Sequence, residues 1–363
     1  MQRKRTKEVR IGSVVIGGNN PIAVQSMCTV KTNNVEATVK EIHRMQDAGC
    51  EIARVSVFDK EDSEFLGEIR KRISIPLVAD IHFRASFAMK AIEQGVDKVR
   101  LNPGNIGGLD RAKPVITKCK EKGIAIRIGV NSGSVERDLL EKYGYPTSEA
   151  MVESALRHVE FCESLGFKDI VVSLKSTDLR TTIDNYTLFS QRSDYPVHLG
   201  VTEAGLPGYG TLKSAIGIGS LLMGGIGDTI RVSLTGDVAL EVKAGFDILK
   251  ATQARVREPE LIACPTCGRI DIDLEKIVKE VEERIKDVKV PMKISILGCA
   301  VNGPGEAREA DIGVAGGKGE GLIFRNGEIV RKVSESALVD ELEKEVRKYA
   351  QEKMDAVCQI QKT

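Results

Sequence analysis

The chain has 363 residues, which is enough for two domains, one of them as large as an eight-stranded α/β barrel. Its 53 basic and 52 acidic residues leave a net charge of +1, so the composition predicts binding to neither nucleic acid nor a membrane surface. The longest weakly polar stretch, residues 215–227, is too short to span a bilayer, and the eight scattered cysteines fit a reducing cytoplasm rather than a disulfide framework.

The first two thirds of the chain alternate between strand-like and helix-like patterns. Residues 9–16 predict a small hairpin outside the main fold, and eight short runs rich in β-branched residues follow it. Eight strand–helix units predict an α/β fold with a (β/α)8 TIM barrel, and their number disfavours the alternative, an open doubly wound sheet. The predicted strands cover residues 23–27, 52–57, 76–81, 98–102, 125–130, 169–175, 197–203 and 229–234.

The predicted strands carry polar residues near their C-terminal ends, although inward positions of a barrel are usually apolar. In TIM barrels this end holds the active site, so we expect these side chains at one mouth. A single arginine there could instead point outward or extend to solvent, but the same placement on so many strands favours a shared site. The residues are Arg54, Asp80, His82, Arg100, Asn102, Arg127, Asn131, Lys175, Glu203 and Arg231.

Five of these residues are cations, which would repel one another at one mouth unless an anion were bound. A compact, multiply charged ligand such as a diphosphate suits them best, because arginine binds phosphate oxygens in pairs. Glu203 is either a proton donor to a departing oxygen or an ion-pair partner. For His82, a hydrogen bond to phosphate is favoured over a general base or a hydrogen-bonded core histidine.

The pattern changes after residues 255–259 and predicts a second domain. A charged amphipathic helix over 271–288 is followed by strands at 293–297 and 311–315. Strands 321–325 and 328–332 flank Asn326-Gly327, a hairpin turn, and a final helix covers 335–352. We therefore expect a barrel domain over residues 1–254 and a small α/β domain over 255–363.

Three cysteines of the second domain lie in turn-forming sequence. Cys264 and Cys267 are separated by two residues, and Cys299 precedes a glycine-rich segment that ends at Glu306. Three thiolates suit zinc or an iron–sulfur cluster, and unliganded cysteines are a third alternative. No histidine follows His198 to complete a closed zinc site, so a cluster with an exchangeable carboxylate ligand is favoured.

Several segments together resemble the 4-hydroxy-3-methylbut-2-enyl diphosphate synthase family, and the resemblance runs from end to end. The cluster segment and the Thr-Glu-Ala-Gly segment at the end of the seventh predicted strand are the most specific. The segments are residues 24–27, 79–83, 99–105, 127–134, 199–205 and 298–306.

The resemblance implies an iron–sulfur oxidoreductase of isoprenoid biosynthesis by the methylerythritol phosphate pathway, in its compact bacterial form. Its substrate would be 2-C-methyl-D-erythritol 2,4-cyclodiphosphate, reduced by two electrons to (E)-4-hydroxy-3-methylbut-2-enyl diphosphate and water. The second domain would resemble modules of sulfite and nitrite reductases, and Glu203 would act as the acid. The resemblance assigns one [4Fe–4S] cluster per chain to Cys264, Cys267, Cys299 and Glu306, and the diphosphate to Arg54, His82, Arg100, Arg127, Asn131, Lys175, Arg231 and Ser233. Asp80 and Asn102 lie in matching motifs.

The resemblance also implies a head-to-tail homodimer in which one chain's barrel meets the other chain's cluster. Electrons would come from a ferredoxin or flavodoxin, since the sequence has no flavin or nicotinamide fingerprint. Two alternatives remain open. The protein could be a zinc-containing TIM-barrel lyase acting on a phosphorylated sugar, or the second domain could serve only as an electron relay or interaction module.

Overall fold

The computed structural model describes residues 2–82, 84–102, 106, 108–299 and 303–360. The chain divides into two compact units, Met1–Arg255 and Val256–Thr363. In the described ranges, no helix is both long enough and apolar enough to cross a membrane.

The first unit begins with a hairpin of two short strands, β1 (Val9–Ile11) and β2 (Val14–Ile16). Gly12 turns the chain with φ +56°, and a Cβ there would come within 2.6 Å of the Asp97 carboxylate. The buried side chains of the hairpin pack on the lowest inward residues of the barrel strands, so the hairpin closes the lower end. The packed residues are Val9, Ile11, Ile16, Ala23, Ile52, Val78, Ala125 and Val171.

Eight parallel strands form the barrel, in the order β8-β7-β6-β5-β4-β3-β10-β9. A bridge between Val172 and Val197 joins the two ends of this order, which confirms the predicted barrel and excludes the open sheet. The strands are β3 (Ala23–Met27), β4 (Ile52–Val57), β5 (Leu77–Ile81), β6 (Lys98–Leu101), β7 (Ala125–Asn131), β8 (Ile170–Lys175), β9 (His198–Leu199) and β10 (Thr229–Ile230).

The last two barrel strands are shorter than the sequence predicts. Pairing stops just beyond Leu199, whose carbonyl accepts from the N–H of Arg231. At Gly200 the Nζ of Lys175 comes so close that a Cβ would meet it at 2.7 Å. The sequence predicts Glu203 at the end of a strand. In the structure it lies instead in the loop after β9.

Helices cover the outside of the barrel because each has one apolar face. In the first of them, Asn34 caps the N-terminus by accepting from the N–H of Ala37, and Val39, Ile42 and Met45 are buried. The helices are α1 (Val35–Asp47), α2 (Lys60–Glu64), α3 (Leu66–Lys71), α4 (Ala85–Glu93), α5 (Leu109–Lys122), α6 (Arg137–Tyr143), α7 (Ser148–Ser164), α8 (Leu179–Arg192), α9 (Tyr209–Met223) and α10 (Val238–Ala251).

The second unit is a mixed five-stranded sheet in sequence order, with its first three strands parallel. Its first strand is missing from the sequence prediction, because its half-exposed residues show no alternation of apolar and polar side chains. The elements are β11 (Glu260–Ala263), α11 (Leu274–Arg284), β12 (Lys293–Leu297), α12 (Gly303–Ala307), β13 (Ile312–Gly317), β14 (Glu320–Arg325), β15 (Glu328–Ser334) and α13 (Leu338–Ile360).

The hairpin under the barrel gives a stability prediction. Ile11 is fully buried there, and Ile11→Ala should lower the free energy of unfolding by about 2–5 kcal/mol through lost burial and the cavity left behind. Urea unfolding followed by circular dichroism measures this. The neighbouring Arg10 is exposed, so Arg10→Ala should change stability by less than about 0.5 kcal/mol. Equal effects of the two substitutions would contradict the closure of the barrel by the hairpin.

Candidate active site

Inward side chains of the barrel form layers, each contributed by alternate strands. The strand register puts Gln25, Val78, Arg127 and His198 in one layer. The next layer toward the mouth contains Arg54, Arg100, Ser173 and Arg231, and the one above it contains Met27, Asp80, Gly129 and Gly200. The interior thus changes from apolar at the hairpin to strongly cationic toward the mouth.

A cavity of about 350 Å³ opens at this mouth. The cavity brings together ten of the eleven barrel residues singled out from the sequence. The exception is Asn102, which directly follows β6 and is buried but is not part of the lining. Three lining residues, Met27, Ser173 and Thr202, were not predicted from the sequence. The lining consists of Met27, Arg54, Asp80, His82, Arg100, Arg127, Asn131, Ser173, Lys175, Thr202, Glu203, Arg231 and Ser233.

Asp80 is the buried counter-charge of this cavity. Its carboxylate lies 3.1 Å from Nη1 of Arg100 and 3.7 Å from Nε of Arg54. Burial alone would raise the pKa of Asp80, but the two guanidiniums lower it well below its usual range. Asp80 is therefore ionised at neutral pH and holds two arginines in place.

A second carboxylate, Glu241, holds the opposite side of the mouth. Its Oε1 lies 3.3 Å from Nη2 of Arg231, and its carboxylate also accepts from the Ser26 hydroxyl and the N–H of Leu234. The sequence analysis missed Glu241, which lies on the buried face of α10. A charged residue among the apolar positions of that helix was the available signal.

The thioether of Met27 lies between two of the arginines. Its Sδ is 2.7 Å from Nη2 of Arg54 and 3.8 Å from Nη1 of Arg231. A thioether is a weak acceptor and carries no charge, so it keeps the two guanidiniums in position without neutralising them.

Cationic donors remain available in this cavity. Nε of Arg100, Nε and Nη1 of Arg127 and Nε of Arg231 have no hydrogen-bond partner among the described residues. Burial and the neighbouring Arg127 lower the pKa of Lys175 well below its usual range. Within this lining, the buried carboxylate of Asp80 and the exposed one of Glu203 leave positive charge in excess, which is the arrangement that a polyanion neutralises.

Two further polar side chains of the mouth, His82 and Glu203, differ in how closely neighbouring residues hold them. The Nε2 of His82 lies 3.2 Å from the Ser56 hydroxyl and 3.8 Å from the carboxylate of Asp80. Glu203 is exposed and has φ +55°, a left-handed conformation that a glutamate adopts at an energetic cost. The loop thus presents this carboxylate at the rim of the cavity, free to approach a bound molecule.

In the second unit the predicted cluster residues lie at one edge of the sheet. Cys264 directly follows β11 and Cys299 lies two residues after β12, and these strands are parallel neighbours, so their C-terminal ends adjoin. The N–H of Gly298 donates to Sγ of Cys264 at 3.3 Å. Hydrogen bonds from Arg269 lower the pKa of the exposed Cys267. Residues 300–302 of the cluster segment lie outside the described residues.

Glu306 lies on α12, which packs on this same edge. A Cβ at Gly303 would contact the side chains of Ala315 and Leu297 at 3.1 and 3.4 Å, so this short helix lies directly against β12 and β13. No three His, Cys, Asp or Glu side chains in the described ranges are close enough to bind one metal ion. A four-iron cluster needs one ligand per iron rather than convergence on a point, so three thiols and a carboxylate around one edge fit it.

Comparison with known proteins places the chain in a family. Residues 6–246 match the GcpE TIM-barrel domain, and residues 260–348 match the GcpE protein C-terminal domain. The chain belongs to the GcpE family. The resemblance predicted from its motifs is therefore confirmed.

Curated relatives of this family match almost the whole chain. A protein of Shouchella clausii is 57% identical over 352 residues, covering 97% of this chain and 96% of its own length. One of Geobacillus thermodenitrificans is 55% identical, covering 97% and 94%. Both are named 4-hydroxy-3-methylbut-2-en-1-yl diphosphate synthase (flavodoxin).

A solved structure supports the barrel fold. The dihydropteroate synthase of Stenotrophomonas maltophilia aligns with a TM-score of 0.51 at 12% identity, covering 69% of this chain and 98% of its own. At this identity the likeness shows the fold alone.

The close packing of Arg100 on Gly129 gives a binding prediction. A Cβ at Gly129 would lie 2.6 Å from Nε of Arg100, so Gly129→Ala should displace this guanidinium from the mouth. Loss of one charged contact should weaken inorganic pyrophosphate binding about 10- to 100-fold, measured by calorimetry. Gly133→Ala is the matched control, because a Cβ there meets nothing within 4 Å. Unchanged affinity in Gly129→Ala would contradict a role for Arg100 in binding the anion.

Proposed function

We propose that this chain is a 4-hydroxy-3-methylbut-2-enyl diphosphate synthase that opens and reduces 2-C-methyl-D-erythritol 2,4-cyclodiphosphate. The observation that carries the proposal is the cationic barrel mouth, which occurs in a GcpE family chain together with three cysteines and a glutamate at one sheet edge. The name shared by the relatives agrees with the activity that the motifs predict.

The barrel residues bind and orient the substrate. Arg54, Arg100 and Arg127 present guanidiniums from β4, β6 and β7, and Lys175 on β8 and Arg231 just after β10 extend the cationic lining around the mouth. They offset the two negative charges of the cyclic diphosphate, with His82, Asn131 and Ser233 as further hydrogen-bonding groups. Asp80 and Asn102 support the residues that contact the substrate, and Asp80 does so by holding Arg54 and Arg100 in place.

Glu203 supplies the proton. The reaction removes a hydroxyl as water, and that oxygen leaves more easily when a neighbouring acid protonates it. Glu203 is the exposed carboxylate of the cavity lining and lies on the loop after β9, where its backbone has φ +55°. This supports the donor role over that of a buried ion-pair partner.

In this proposal, residues 1–254 are the substrate-binding domain and residues 255–363 are the cluster domain. Cys264, Cys267, Cys299 and Glu306 would hold one [4Fe–4S] cluster, which supplies two electrons one at a time when bound. The N–H of Gly298 on the sulfur of Cys264 and the positive charge of Arg269 beside Cys267 would stabilise thiolate ligands.

The electrons come from outside the chain. The relatives' name includes flavodoxin, which supports flavodoxin as the donor, with ferredoxin as the other candidate. The eight cysteines are all free of disulfides, which supports a cytoplasmic location.

A head-to-tail homodimer would unite one chain's barrel mouth with its partner's cluster. An apolar stripe supports self-association: Tyr209, Leu212, Ile216 and Met223 are all exposed on α9, and Leu206 continues the stripe. Such a stripe is unusual on a surface that stays in contact with water. The second copy is the occupant that this proposal requires.

Metal analysis of anaerobically purified protein tests the cofactor. The holoprotein should be brown and contain about four irons per chain. Glu306→Ala should reduce iron content or activity while the circular dichroism of the fold is unchanged, and the exposed Glu309→Ala is the matched control. Colourless, active protein with one zinc per chain would instead support a phosphate-sugar lyase, and full activity of Glu306→Ala with an intact cluster would exclude Glu306 as ligand.

Mixed dimers test the shared site. Glu203→Gln keeps the backbone and shape of the residue but removes its acidic proton, and Cys299→Ser removes a cluster ligand. Random reassociation of the two inactive chains should restore about a quarter of wild-type activity, because half of the dimers then contain one intact site of two. Mass spectrometry verifies the mixing, and verified mixed dimers without activity would exclude a site shared between chains.

A further inference from the structure

Below the mouth cavity, the barrel interior contains a second group of polar side chains. Gln25, Arg127 and His198 lie in one layer, and Lys98 lies in the layer beneath it. All four are at most 1% exposed. Apart from Arg127, none of them lines the mouth cavity, and the sequence analysis assigned none of those three a role.

Polar atoms of these four residues lack partners. Nζ of Lys98, Nε and Nη1 of Arg127, Nε2 of His198 and both side-chain amide atoms of Gln25 make no hydrogen bond to any described residue. Buried polar atoms in native proteins are nearly always hydrogen-bonded, to protein or to something enclosed with it. The four residues lie in two adjacent inward layers, whose side chains meet near the barrel axis, so one small partner there could serve several of these atoms.

This space has an excess of donors and of positive charge. Arg127 stays charged because a guanidinium hardly ever loses its proton in a protein. The nearest buried carboxylate, Asp80, lies two layers above Arg127 and is already engaged by Arg54 and Arg100. Among the six unpartnered atoms, Oε1 of Gln25 is an acceptor, and Nε2 of His198 donates in the tautomer whose Nδ1 accepts from the Thr229 hydroxyl.

The lowered pKa of Lys98 is consistent with a site that lacks a compensating negative charge. Burial, and then the nearby cations Arg127 and Arg54, lower the pKa of Lys98 well below its usual range. His198 is similar, since burial followed by Arg127, Lys175 and Lys98 lowers the pKa of its imidazole. A negative charge on the axis would oppose both shifts and stabilise the ammonium form of Lys98.

We propose that this buried layer binds a small monovalent anion of the halide class, held by Lys98, Arg127, His198 and the amide of Gln25. Chloride is the representative. A single-atom anion can accept from all four donors at once, whereas a diphosphate is too large and remains at the mouth. The anion site adjoins the proposed substrate site through Arg127, which lines the mouth cavity, and the bound anion would reduce repulsion among the cations beneath the substrate.

Enclosed water with a neutral Lys98 is the competing arrangement. Water could satisfy the hydrogen bonds, but it would leave the charge of Arg127 uncompensated at this depth. The two arrangements differ in their response to halide, and this difference can be measured.

Thermal unfolding of the full-length holoprotein distinguishes them. Replacing sodium gluconate by sodium chloride at constant ionic strength should raise Tm by about 3 °C in the wild type. Lys98→Met keeps the buried stem but removes the cation, and it should abolish this rise. The exposed Lys122→Met is the matched control and should retain it. An equal rise in Lys98→Met, or no rise in the wild type, would overturn the proposal.

Bromide crystallography locates the ion without relying on a variant. Crystals grown in bromide with inorganic pyrophosphate at the mouth should show an anomalous peak between Lys98 and Arg127. Bromide at the mouth alone, or water-like density without anomalous signal in the buried layer, would exclude the site. Persistence of the peak with pyrophosphate bound would separate this anion from the substrate site.

Discussion

The structure depends on placing several positive charges inside a barrel, and the Asp80 carboxylate makes this possible. It pairs with Arg54 and Arg100 from the strands on either side, so two guanidiniums are fixed before any ligand arrives. Glu241 does the same for Arg231 from a helix outside the barrel. Preformed positions reduce the ordering that a bound anion would otherwise have to impose.

Space for these charges comes from glycines in the same layers. Gly129 and Gly200 have no side chain where Arg100 and Lys175 cross the barrel, so the long cationic side chains can lie across neighbouring strands. The backbone is equally adapted at the rim, where Glu203 is held in a left-handed conformation. The charged interior of the barrel is thus accommodated by two local features: glycines beside the long cationic side chains, and a left-handed backbone conformation at Glu203.

Much of this could be predicted from the sequence. The alternation of strands and helices gave the barrel, and polar residues near strand ends gave most of the cavity lining, because periodicity and position are local properties. Lys98 and His198 escaped prediction because burial inside a barrel depends on register between distant strands, and Glu241 escaped because its partner Arg231 lies on a different element. β11 escaped because its half-exposed residues show no alternation. β9 and β10 pair over only two residues each, which the longer β-branched runs in the sequence did not indicate.

The hairpin beneath the barrel also determines the order of events inside it. Val9, Ile11 and Ile16 pack against the lower end of the barrel, so a small solute bound in the buried layer would have to enter from the mouth, past the arginines. A substrate bound at the mouth would block this route to the buried layer. An anion in the buried layer would therefore bind before the substrate and leave after the product, and its exchange with solution would depend on the rate of turnover.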